Sequence, residues 1–200
     1  MSHNKLIVFV KNEEAGKVKT RLANTVGDDK ALEIYRKLLG YTFDQVNSLE
    51  VTKEVWYSRF IEQEDVWSEG DFKKHVQEGV NLGERMSGAF RKSFEEEGVE
   101  KAVIIGSDCA ELTTVILEEA FSRLDKNDIV IGPAEDGGYY LIGMSRFFPE
   151  LFKDIAWSTE SVLEKTIQKA TQMGASHFLL KELNDVDEIG DWKRVEDKLH

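Results

Sequence analysis

The sequence predicts an α/β protein, a three-layer α/β/α sandwich around a mostly parallel sheet. Three observations predict it. Short β-branched runs alternate with segments of helical period from end to end. One stretch breaks that rhythm with two strand-like runs joined by Pro133-Ala134-Glu135-Asp136-Gly137-Gly138, which leaves no room for a crossover helix. Finally, 200 residues with 41% hydrophobic content are enough for one sizeable core.

Lys5-Leu6-Ile7-Val8-Phe9-Val10 reads as a buried strand. Ala31, Ile34, Tyr35, Leu38, Leu39, Thr42 and Val46 fall at helical spacing, which predicts a long helix over about 28–47. Glu54-Val55-Trp56-Tyr57-Ser58 is a second strand, and His75-Val76-Gln77 lies near the end of a third. Leu82, Met86, Ala89, Phe90 and Phe94 mark the next helix, ended by Gly98. Ala102-Val103-Ile104-Ile105-Gly106 is the clearest strand. Leu117, Ala120, Phe121 and Leu124 follow on a helix that Thr113 or Thr114 can cap. Residues 128–132 and 139–144 are the two strands with no helix between them, so an antiparallel addition to the sheet is expected. A helix over about 159–173, a strand at His177-Phe178-Leu179-Leu180 and a short helix after Asp185-Val186-Asp187 complete the chain. No repeat, low-complexity tract or linker interrupts residues 1–200, so a single domain is expected.

A formal net charge of −12 argues against a general nucleic-acid or anionic-membrane surface, which needs a basic face. Cys109 is the one cysteine, so neither an intrachain disulfide nor a cysteine-rich metal site can form. The N-terminus lacks a signal-peptide pattern, and no apolar stretch approaches the roughly 20 residues that span a bilayer. A cytoplasmic protein is expected.

Sheets of this kind bind ligands beyond the carboxyl ends of their strands, and of the segments just after Val10, Ser58, Gln77, Ile105 and Ile131, four carry unusual residues. After the first strand, Lys11, Lys17, Lys19 and Arg21 crowd a loop around Gly16. The P-loop pattern fails, because Lys11 takes its first glycine position and Val18 its hydroxyl position. A looser phosphate cradle and a solvated loop, its charge partly cancelled by Glu13 and Glu14, remain equally open. Gly106-Ser107-Asp108-Cys109 ends the clearest strand. Asp108 can hold a divalent cation that bridges phosphates, or can serve a turn, but it lies too far before Thr113 to cap the helix there. Cys109 reads as a small buried side chain.

In Glu135-Asp136-Gly137-Gly138-Tyr139-Tyr140 an ordinary hairpin turn is the reading the residues favour; the alternative is close approach of a ligand, with Glu135 or Asp136 accepting a proton. In Gln77-Glu78-Gly79-Val80-Asn81-Leu82-Gly83-Glu84-Arg85 the amides and exposed backbone can read a nucleobase edge, or the loop simply needs glycine conformations before a helix. The carboxylates of Asp185 and Asp187 suit a helix start. The four histidines show no metal-binding spacing.

Taken in order, residues 11–22, 77–86, 105–113, 132–143 and 185–187 closely resemble the DUF2064 family, glycosyltransferase-like proteins of the GT-A superfamily. The resemblance runs over nearly the whole chain. It implies a Rossmann-like nucleotide-diphospho-sugar transferase fold. By that similarity the basic loop (Lys11, Gly16, Lys17, Lys19 and Arg21) faces nucleotide phosphates, and Asp108 matches a metal-binding aspartate. Gln77, Gly79, Asn81 and Gly83 border the base, Arg85 belongs with the nucleotide- or phosphate-binding residues, and Asp136, Gly137, Gly138 and Tyr139 lie on the acceptor side.

Two departures stand out. Glu13 and Ala15 replace prolines usual in the family's loop, and Ala110 replaces the proline of its Ser-Asp-Cys-Pro. The lost prolines leave the loop less pre-organised without removing a charge. The function implied is a Mg²⁺- or Mn²⁺-dependent transferase using a nucleoside diphosphate sugar, with Asp108 and Asp136 as its catalytic carboxylates and a small-molecule acceptor. Nucleotidyl transfer from an NTP to a phosphorylated or carboxylated acceptor is the alternative. A non-catalytic nucleotide-binding or partner-binding module is the third reading.

Overall fold

The computed structural model describes residues 3–199. Seven strands form one sheet: β1 Asn4–Val10, β2 Thr52–Tyr57, β3 Phe72–Val76, β4 Lys101–Ile105, β5 Ile129–Pro133, β6 Tyr139–Met144 and β7 His177–Leu179. Their order across the sheet is β3-β2-β1-β4-β6-β5-β7. All neighbours run parallel except β6, which is antiparallel to both β4 and β5. The expected antiparallel addition is therefore present, and it is inserted within the sheet. A short connection can only return the chain antiparallel, and here it returns between two strands already parallel to each other.

Helices cover both faces. They are α1 Thr20–Val26, α2 Asp28–Asn47, α3 Leu82–Glu95, α4 Thr114–Arg123, α5 Val162–Gln172 and α6 Ile189–Val195. Alternation along β1 divides the core. Leu6, Val8 and Val10 pack with Tyr35, Leu39 and Phe43 of α2 and Leu117 and Phe121 of α4. Ile7 and Phe9 pack with Met86 and Phe90 of α3 and Ala170 of α5. With both faces buried, β1 reads as a continuous apolar run. A third cluster, Leu22, Ile34, Leu38, Val186, Trp192 and Val195, fastens α1, α2 and α6 together.

The main departures from the sequence reading are at α1 and at the start of α5. Residues 20–26 form the short helix α1 where only a loop was expected; Lys19 precedes it in a left-handed conformation, with no side-chain cap bond and no acidic residue in the first turn. The customary start signals are missing. Helix α5 begins at Val162, three residues later than expected, because the Thr159 hydroxyl donates to the Ala156 carbonyl and lies 2.9 Å from Ser161 Oγ. Such local bonds hold the backbone outside the helix.

Strand order reverses between β1 and β4, and this is where the sheet opens at its carboxyl ends. Tyr35 of α2 bridges that point. Its phenolic oxygen accepts from the Lys11 amide at 2.8 Å, donates to the Lys11 carbonyl at 3.1 Å and lies 3.3 Å from Ser107 Oγ. Burial holds this phenol well above its ordinary pKa, so it remains a neutral donor. Tyr35→Phe leaves the ring's packing intact and removes these bonds, the buried one to Ser107 included. A loss of about 1–3 kcal/mol in urea unfolding is expected, with little change in secondary structure by circular dichroism.

Candidate active site

The loops that leave the carboxyl ends of the sheet enclose a cleft of about 1220 Å³. One flank carries Lys11, Lys19, Thr20 and Arg21, and another carries Glu135, Asp136, Gly137, Gly138 and Tyr139. The segment 157–162 and the carboxylates of Asp185 and Asp187 close it. Asp108, with its side chain 31% exposed, is joined to the cleft through its ion pair with Lys19.

Lys19 sits at the middle of the charge arrangement. Its side chain is only 3% exposed, and its ammonium lies 3.1 Å from Asp108 Oδ1 and 3.4 Å from Asp187 Oδ1. Burial alone would lower its pKa, yet Asp108 and Asp187 together raise it. Arg21, far more exposed, reaches Asp187 Oδ2 at 3.5 Å. Asp185 completes the group. Burial and the neighbouring charge of Asp108 push its carboxyl up to about 7, against the pull of Lys19.

The two aspartates of the 185–187 loop do not start α6. Glu188 and Asp191 form its capping box. Asp191 also accepts from the Asp187 amide at 3.2 Å and the Asn184 side chain at 2.9 Å. The Val186 amide donates to the Asp108 carbonyl at 3.0 Å, which brings the loop against the end of β4. The helix-start reading of Asp185 and Asp187 is thereby corrected, and they join the site. The signal that could have found them was two carboxylates, two residues apart, beyond the carboxyl end of the last strand.

The residues singled out in the sequence fall into two groups. Lys11, Lys19, Arg21, Asp136, Gly137, Gly138 and Tyr139 line the cleft, and Asp108 adjoins it through Lys19. Lys17 is exposed beside Gly16, whose φ of 73° turns the loop; neither lines the cleft. In the stretch from Gln77 to Arg85, three side chains bond within the fold. The Gln77 amide donates to the Val10 and Trp56 carbonyls, pinning β3's end to β1 and β2. Arg85 donates to the Gly79 carbonyl, and Asn81 caps α3 by accepting from the Glu84 amide. Gly79, Asn81 and Gly83 line a second cavity of about 810 Å³, and Trp157 is common to both cavities.

Two glycines make close approaches within the protein. A Cβ at Gly83 would lie 2.3 Å from the Trp157 indole. One at Gly137, whose φ is 83°, would lie 2.2 Å from the Glu160 carbonyl oxygen. Both therefore seat the 157–161 segment that edges the cleft. Asp136, which lines the cleft, accepts from the Gly138 amide through Oδ1 at 2.9 Å, the bond of an Asx turn. The Tyr139 ring packs into the core, and burial raises its phenol well above the ordinary value.

A sequence profile for a family described as an uncharacterized protein conserved in bacteria (DUF2064) matches residues 42–159. The chain belongs to the DUF2064 family. No curated protein matches it. Among solved structures, this DUF2064 chain is similar to a candidate nucleotide-diphospho-sugar transferase from Desulfovibrio desulfuricans G20. Identity is 33% over 98% of this chain and 87% of that one, with a TM-score of 0.89. It shares its fold with 4-diphosphocytidyl-2C-methyl-D-erythritol synthase from Anaerococcus prevotii DSM 20548, at 10% identity over 98% and 95% of the two chains and a TM-score of 0.64. The Rv0371C protein of Mycobacterium tuberculosis H37Rv, solved as a manganese complex, has the same fold at 13% identity over 98% and 99% of the chains and a TM-score of 0.53.

Two outcomes test the site's construction. Gly83→Ala should displace Trp157, costing about 1–3 kcal/mol of stability and shifting tryptophan fluorescence. In chelator, Asp185 should make the protein less stable as pH rises. A carboxyl whose folded pKa is raised contributes stability below about pH 4 that is lost through about pH 7. Urea midpoints measured from pH 5 to 8 should therefore fall more steeply for the natural protein than for Asp185→Asn.

Proposed function

We propose that this DUF2064 protein is a metal-dependent transferase that uses a nucleoside diphosphate sugar as donor. The observation that carries the reading is the cleft itself, where cationic Lys11 and Arg21 and the Lys19–Asp108–Asp187 cluster meet at the sheet's switch point. The likeness at 33% identity to a candidate nucleotide-diphospho-sugar transferase supports the same reading.

The donor atoms suit a small hard cation. Mg²⁺ and Mn²⁺ take oxygen ligands, and Mg²⁺ commonly uses one or two carboxylates with phosphate oxygens and water filling its remaining positions. Asp108 and Asp187 meet that description. Asp185 has a raised pKa first through burial and then through the neighbouring charge of Asp108, and a cation there would offset the second of these. As the side chains stand, no group of three or more His, Cys, Asp or Glu is arranged to hold a metal among the described residues, so phosphate oxygens and water would complete the shell. A bound cation would supply charge stabilisation at the leaving diphosphate.

The chain's own residues account for the rest. Lys11 and Arg21 face the phosphates and offset negative charge as the sugar C1–oxygen bond breaks and its electron pair passes to the diphosphate. The acceptor hydroxyl oxygen forms the new bond to C1, and its proton passes to the Asp136 carboxylate. The remainder of the lining carries Glu135, Ser158, Thr159, Glu160 and Ser161, with no lysine or arginine. Carboxylates and hydroxyls in that region repel a phosphorylated acceptor and suit an uncharged, hydroxylated one.

Nucleotidyl transfer is the second reading, favoured by the shared fold with an enzyme named for its diphosphocytidyl product. Thermal shift with UDP-, GDP- and CDP-sugars and with NTPs, each with and without Mn²⁺, separates the two. Nucleotide sugars should stabilise the protein and NTPs should not, by about 2–3 kcal/mol near a hundredfold excess over Kd. Stabilisation by NTPs alone would establish nucleotidyl transfer, and indifference to every nucleotide would leave a non-catalytic module. Asp108→Asn should fold and lose the Mn²⁺-dependent part of the shift; its full retention would refute the metal assignment.

A further inference from the structure

The four cations of the first loop are not equivalent. Lys11, Lys17 and Arg21 are exposed, as phosphate-binding groups in an open protein would be. Lys19 alone is buried, held between Asp108 at 3.1 Å and Asp187 at 3.4 Å. Its backbone adopts a left-handed conformation with φ of 47°, which is costly for any residue other than glycine, so the surroundings fix it there. A lysine placed this way neutralises carboxylates before any ligand arrives.

We infer that Lys19 is an internal counter-ion standing in the charge position of a divalent cation, so that the metal binds the nucleotide-free protein weakly and enters with the donor's diphosphate. The inference rests on the reading of Asp108 as a metal ligand. A cation held by Asp108 would share that carboxylate with the buried ammonium, which already lies 3.1 Å from its Oδ1. Two positive centres then share two carboxylates, with Arg21 adding a third cation near Asp187. A diphosphate restores the balance by bringing negative charge to the same place. Metal and nucleotide consequently bind with positive coupling, and by linkage each strengthens the other equally. Lys19 is the residue through which the metal's affinity alone is held down.

The test is Mn²⁺ binding to the nucleotide-free protein, read from the free-ion electron paramagnetic resonance signal. Lys19→Met should bind Mn²⁺ at least tenfold more tightly than the natural protein, whereas Lys19→Arg, which keeps the charge, should match it. Adding UDP, GDP or CDP, measured against nucleotide without protein, should tighten Mn²⁺ binding to the natural protein, and the gain should be smaller in Lys19→Met, where only direct ligation by phosphate remains. Should Lys19→Met be unstable in chelator, its melting temperature is titrated with Mn²⁺, and a steeper rise than that of the natural protein is expected. Equal or weaker Mn²⁺ binding by Lys19→Met overturns the inference while leaving the metal site intact, provided Mn²⁺ still acts through Asp108. Indifference of all three proteins to Mn²⁺, with and without nucleotide, removes the metal reading and the inference together.

Discussion

A buried ammonium cannot be left without partners, and this requirement organises the carboxyl end of the sheet. Lys19 draws in Asp108 from the end of β4 and Asp187 from the loop after β7, residues 89 and 168 positions away. Backbone bonds reinforce the same junction, the Val186 amide reaching the Asp108 carbonyl. Removing one partner of such an arrangement leaves the other buried and uncompensated, so the segments are held as a unit. The apolar cluster of Leu22, Val186 and Trp192 lies just outside and binds the segments that carry Lys19 and Asp187.

The sheet supplies the frame in which that convergence is possible. Placing β1 beside β4 brings the Lys19 loop and Asp108 to one crevice, and Tyr35 ties the two strand ends together from α2. This level was legible in the sequence. Doubly buried strands leave continuous apolar runs, and α2 shows its helical period over its full length. The antiparallel β6 was legible too, because a connection of six residues cannot carry a crossover. The short helix α1 was not. Seven residues contain too few turns to establish a period, and the left-handed Lys19 that precedes it gives no cap signal.

Glycines show where sequence reading stops. A glycine announces that something approaches the backbone closely, and says nothing about what approaches. At Gly83 and Gly137 the neighbour is the protein itself, Trp157 in one case and the Glu160 backbone in the other. Gln77 and Asn81 carry the same ambiguity: an amide that could read a base is also an amide that can pin a strand or cap a helix, and here each does the latter. Partners distant in sequence decide between such roles, and a single chain does not display them. Charge was more legible than shape, since Lys11, Lys19 and Arg21 reach the cleft together with Asp136.

Asp185 and Asp187 illustrate the converse. Carboxylates near a helix start have a sufficient local explanation in the helix dipole, and that explanation hid their other use. The structure assigns the capping to Glu188 and Asp191, which leaves Asp185 and Asp187 with no local role in the helix. They are instead held beside a third carboxylate, at the cost of a raised pKa on Asp185. Fold stability alone gives no reason to crowd three aspartates around one ammonium; well-packed apolar residues would satisfy the same volume at lower electrostatic cost. The crowding becomes intelligible once a further positive charge is expected to arrive together with phosphates. In that state Lys19 and the arriving charge share the carboxylates, and the repulsion evident among the aspartates becomes attraction for the ligand.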